Sequence, residues 1–164
     1  MRLRALWRSE RGATAIEFAL VAPCVIILLL SIVEVGVLSF VAACLDNAVA
    51  SAARTVRTGQ TDGPNTAQAF ETSICGMMPE GLEACRGKLT ISVRQFASFA
   101  NVTSAANAPP GGEFSRGAAG DIMLVKATYR WPLLTPFMSR LYQPAGAGEV
   151  LLDARLTFRN EPYS

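Results

Sequence analysis

The chain contains no histidine. The commonest general base and the commonest protein metal ligand are therefore missing from its chemistry. A serine or cysteine nucleophile has no imidazole to activate it. Charged residues make up only 17% of the sequence and aromatic residues 8%, and no Lys/Arg cluster interleaved with aromatics marks a nucleic-acid surface. The glycine-rich stretch Ala108-Pro109-Pro110-Gly111-Gly112 lacks the following Lys-Ser/Thr of a phosphate-cradling loop. Acidic pairs such as Glu80 and Glu83 read as a solvated loop face. These absences argue against an enzyme, and no cofactor, metal or nucleic-acid partner is expected.

Cysteine is present at four positions, in two different settings. Cys24 and Cys44 fall in one apolar run and would lie about 30 Å apart on a continuous helix, too far to bridge. Cys75 and Cys85 flank a Gly/Pro-containing segment, and an oxidising compartment would let them pair. A disulfide is the expectation and two separate thiols the alternative. Two cysteines without histidine supply only half a zinc ligand set.

The sequence is half hydrophobic, and the excess is concentrated near the N-terminus. From Phe18 to Val33 no charge interrupts Val, Ile, Leu and Ala, and after Glu34 the apolar character resumes from Val35 to Leu45. At helical rise the stretch from Phe18 to Leu45 is about 40 Å long, more than the ~30 Å a bilayer core requires. Arg2, Arg4, Arg8 and Arg11 precede it and, against Glu10, give the leader +3; without that leader the chain's +2 becomes −1. The positive-inside rule then places the N-terminus in the cytoplasm and the remainder across the membrane. Pro23 removes one backbone donor early in the helix, which membrane helices tolerate. Glu34 falls inside the apolar run, where a carboxylate is by default a candidate for pairing with another helix or lying near an interface.

Arg11-Gly12-Ala13-Thr14-Ala15-Ile16-Glu17-Phe18-Ala19-Leu20-Val21, then a Pro-containing apolar run, then Glu34-Val35-Gly36, is a specific arrangement. It resembles the TadE-like family of pilus assembly proteins, the pseudopilin-like minor components of tight-adherence (Flp-type) pili. The likeness covers the first 36 residues; beyond the helix it is one of layout. The resemblance implies cleavage between Gly12 and Ala13 by a prepilin peptidase. It makes Glu17, Phe18, Glu34 and Gly36 the candidate subunit-packing residues. The implied partners are other pseudopilins, with the major pilin as a further candidate, and the inner-membrane assembly platform. Cleavage would leave a charged α-amine on Ala13, which Glu17 of a neighbouring subunit could neutralise when such helices pack. Two other signals compete: Val41-Ala42-Ala43-Cys44 loosely matches a lipobox and also a signal-peptidase site, although it lies far from Met1.

Beyond Leu45 the period becomes amphipathic. Leu45, Val49, Ala52 and Val56 recur at helical spacing, and Gly59 is a natural stop. Ala67, Phe70, Ile74 and Met77 or Met78 mark a second, short helix. Leu89, Ile91 and Val93 alternate as a strand whose pattern slips near Arg94 and Gln95, as a bulge or a strand end would produce. The stretch from Asn101 to Gly120 reads as a loop. A second strand carries Met123, Val125, Ala127, Tyr129 and Trp131 on one face. Thr135-Pro136 could open a short helix bearing Phe137, Met138, Leu141 and Tyr142, which would cover the sheet or rest on the membrane or a partner. Gln143 to Gly148 is a turn, and from Val150 to Phe158 strict alternation predicts a third strand.

The expected architecture is α+β and pilin-like. A cytoplasmic leader occupies 1–12 and a transmembrane helix 13–45. A periplasmic domain of 46–164 includes the helix extension, a short helix and an antiparallel sheet of about three strands on which helices cover one side. The alternative is an uncleaved, single-pass anchored periplasmic binding or scaffold protein.

Overall fold

A computed structural model of the chain describes residues 10–79, 85–141 and 148–162. The expectations for Glu80, Glu83, Tyr142, most of the leader and most of the turn after it lie outside those residues, as do the side chains of Phe137 and Leu141. Helix α1 runs over Glu10–Arg57 without interruption, passing through Pro23. It stops at a glycine cap: Gly59 has φ 64°, its N–H donates to Val56 O at 3.1 Å, and Gln60 N–H donates to Thr55 O at 3.2 Å. Those bonds satisfy carbonyls that a helix end otherwise leaves open, and the left-handed turn is what glycine adopts without a Cβ penalty.

Helix α2 (Ala67–Met77) begins where the Thr66 hydroxyl accepts from Ala69 N–H at 3.1 Å. Phe70 and Ile74, one turn apart, are fully buried, with Met78 beyond them, whereas Met77 points outward. The disulfide between Cys75 and Cys85 ties the end of α2 to a turn at Cys85–Lys88, where Gly87 takes φ 85°. The sheet follows as β1 (Leu89–Phe96), β2 (Ile122–Pro132) and β3 (Glu149–Arg159), in the order β1-β2-β3 with both pairings antiparallel. The architecture is thus α+β, with a long N-terminal helix, a short helix and a three-stranded antiparallel sheet.

Met123, Val125, Ala127 and Tyr129 of the central strand all face α1 and α2 and are buried with Val41, Leu45, Val49 and Val56 of α1. Each such side chain removed from water contributes roughly 1.5 to 3 kcal/mol before the entropy of ordering is counted. Strand β3 keeps the alternation read from sequence: Val150 and Ala154 are buried and Leu151, Asp153, Arg155, Thr157 and Arg159 are exposed.

One alternative is decided and two expectations are corrected. The slip near Arg94 and Gln95 marks a strand end rather than a bulge, since β1 pairs continuously from Leu89↔Tyr129 to its last residue at Phe96↔Ile122. The alternation falters because β1 reaches the end of the helix-covered face, and Gln95 turns its amide to Asp121 Oδ2 at 2.7 Å. Part of the stretch expected as loop forms helix α3 (Phe99–Ala106), which buries Val102. That helix packs near β1 and β2, so the sheet is not covered from one side alone: Leu124, Lys126 and Thr128 on β2's second face are buried as well. Helix α4 (Pro136–Leu141) follows β2 as anticipated.

Candidate functional site in the long helix

The two halves of α1 meet different surroundings. From Ile16 to Val33 the large apolar side chains are exposed, whereas from Glu34 onward one face is buried. The segment Thr14–Arg57 contains an eighteen-residue window of mean hydropathy 2.8, of which 11% is buried. Among the described residues it is the one helix long and apolar enough to cross a membrane. Two of its hydroxyls are tied back to the helix itself: Ser31 donates to Ile27 O and Ser39 to Val35 O, each at 2.8 Å. Neither of these two hydroxyls therefore needs water.

Glu17 and Phe18 point away from the domain, Phe18 being 75% exposed. Glu17 has no partner among the described residues. Gly36 is exposed too, and a Cβ placed on it would meet nothing within 4 Å, so no close approach inside this chain requires a glycine there. Gly12 is half-buried, and the backbone is helical at both Gly12 and Ala13.

Glu34 behaves differently. It is 1% exposed, and its Oε1 accepts from Leu134 N–H at 2.6 Å and from Thr135 N–H at 3.3 Å, while Oε2 accepts from the Thr135 hydroxyl. The carboxylate read as a candidate for pairing with another helix or lying near an interface accepts hydrogen bonds from its own chain, at the junction of β2 and α4. Immediately beyond it Val37, Val41, Cys44 and Leu45, which fall within the 13–45 stretch read as the transmembrane helix, are packed against the domain. Cleavage before Cys44 would detach Glu34 and Val41, both of which hold the domain to the helix. The Thr135-Pro136 signal was visible in the sequence; its link to a residue a hundred positions away was not.

A second arrangement lies on the face of the sheet away from α1. An open groove of about 360 Å³ is lined by Thr90, Asn107, Lys126, Thr128, Asp153 and Arg155 among others. The Lys126 ammonium donates to Ala108 O at 2.6 Å, and Arg155 pairs with Asp153 at 2.9 Å. Burial alone would raise the Asp153 carboxyl, but hydrogen bonds from Thr128 and Arg155 and the charges of Lys126 and Arg155 outweigh it and hold it below its ordinary value. On the opposite face, burial pushes the Tyr129 hydroxyl up.

A small α+β domain carried on one long apolar helix is the class these observations define, and the helix suggests a membrane anchor. The TadE-like protein family model matches residues 12–54, from Gly12 through the exposed half of α1 and most of its buried half. That segment contains every residue on which the sequence resemblance rested except Arg11. No curated protein and no solved structure matches the chain.

Proposed function

We propose that this protein is a minor pseudopilin-like component of a tight-adherence, type IV-like pilus assembly system. The reading is carried by one coincidence: the TadE-like match covers residues 12–54, and within that span the structure leaves Ile16 to Val33 uncovered by the domain. The chain sits in the bacterial inner membrane with its N-terminus cytoplasmic and its domain periplasmic. A prepilin peptidase removes Met1 to Gly12. The mature helix then packs against other pseudopilins, with Glu17 facing the Ala13 amine of a neighbour and Phe18 and Gly36 on the contact surface. Breaking that buried ion pair hurts more than forming it helps, so its role is to set axial register. The work is mechanical rather than catalytic, and the inner-membrane assembly platform is the machinery it serves.

The test is the intact mass and N-terminus of the protein recovered from membranes, with and without an active prepilin peptidase. An Ala13 start that depends on the peptidase is expected, together with loss of pilus assembly in Glu17→Ala at unchanged membrane level. An unprocessed N-terminus would refute the reading and leave a permanently anchored scaffold.

A further inference from the structure

Leu134 is 65% exposed although its backbone N–H is held firmly by the buried Glu34 carboxylate. A large apolar side chain is thereby pinned beside α1 at the level where the helix stops being free and starts being covered. Val33 and Val35, on either side of Glu34, are 60% and 50% exposed. Leu134 thus extends the apolar surface of the helix sideways onto the domain. The run in which no side chain is buried, from Ile16 to Val33, is about 26 Å long at helical rise, close to the hydrocarbon thickness of a bilayer. It ends at Glu34 and hence at the β2–α4 junction; beyond it one face of the helix is covered, while Phe40 on another is still 60% exposed. Arg140, exposed on α4, supplies a cation on the same short segment.

We propose that segment 133–140 is a lipid-contact element that rests on the domain-side surface of the bilayer, with Leu134 at the acyl boundary and Arg140 among anionic headgroups. Glu34 is its positioning residue: by holding Leu134 and Thr135 it fixes the height of the domain above the membrane. Lipid is the occupant because this surface is continuous with the helix face that lies in lipid. The opposite end of the domain, where Arg57 meets Glu161, then stands about 35 Å higher. The proposal rests on α1 being the membrane anchor.

The experiment uses the full chain with Trp7→Phe and Trp131→Phe, reconstituted in vesicles of phosphatidylethanolamine and phosphatidylglycerol. Leu134→Trp places an indole in the proposed seat, and Thr157→Trp places one on exposed β3, near the far end. Lipids spin-labelled at the headgroup should quench the Leu134→Trp emission several-fold more than lipids labelled at the bilayer centre, and should leave the Thr157→Trp emission unchanged. In the natural chain, a phospholipid with a photoactivatable headgroup should cross-link to peptides carrying 133–140 and not to those carrying 153–159. A chain that floats with the vesicles but shows neither quenching nor cross-linking at 133–140 overturns the proposal. So does a Leu134→Trp emission that shifts with protein dilution rather than with lipid label, which would make a second copy the occupant. A chain that fails to float refutes the anchor itself, separately from the seat.

Discussion

Glu34 shows how one buried carboxylate decides a geometry that hydrophobic packing leaves loose. It accepts two backbone N–H groups and a hydroxyl from Leu134 and Thr135, and is itself 1% exposed. Removing the acceptor strands those donors, so Glu34→Ala should destabilise the domain by about 2 to 3 kcal/mol. Arg57 and Glu161 join at the other end of the same helix–domain seam at 2.8 Å, but both side chains are about half exposed, and Arg57→Ala should change stability by less than about 1 kcal/mol. Denaturant titration of both variants in one detergent checks the contrast; equal losses would mean that Glu34 is no clasp. Asp153 makes a pH prediction. Its folded carboxyl titrates below the ordinary value of 3.8, so its contribution is fully present above that value and is lost as pH falls through the lowered one. The stability gap between the natural chain and Asp153→Asn should therefore be constant near neutrality and shrink in strongly acidic solution. Chemical denaturation across acidic pH reads the difference directly.

Secondary-structure elements are held to one another by a few local devices. The Cys75–Cys85 disulfide closes a short loop between α2 and β1 and links two elements that both contribute to the core, through Phe70 and Ile74 on one side and Leu89 and Ile91 on the other. In the chain-entropy account such a loop contributes about 2.5 to 3 kcal/mol. Replacing both cysteines by alanine should lower stability by about that amount and abolish the dependence of the denaturation midpoint on reductant, as titrations with and without reductant would show. Between α3 and β2, Gly117 takes φ 64°, and a Cβ there would lie 2.6 Å from the buried Met123 sulfur. Strand and helix positions were legible wherever one face alone was buried, as in β3 and in the Leu45-to-Val56 stripe of α1. Helix α3 was not, because eight residues with one deeply buried side chain among those described, Val102, carry too little periodicity to stand out from an Ala- and Asn-rich stretch.

As a whole the molecule is a domain clamped along the distal half of one helix, with the proximal half left bare. The clamp consists of Val41, Leu45, Val49, Ala52 and Val56 against the sheet and α2. Val49→Asp would bury an unpaired carboxylate in its middle and should unfold the domain while leaving Ile16 to Val33 able to hold the chain in the membrane. Protease accessibility of the domain in floated vesicles is the measurement; a protected domain would show that the seam is not what holds it. The apolar run of the long helix and the alternating strands were legible without the fold, because each depends on residues close together in the chain. Where the free helix ends was decided only by tertiary structure. Val37, Val41 and Leu45 are as apolar as the residues before them, and nothing local distinguishes a side chain bound for lipid from one bound for a protein core. Only the fold, by bringing Leu134 and Thr135 to Glu34 and the sheet to the residues beyond it, separates the two.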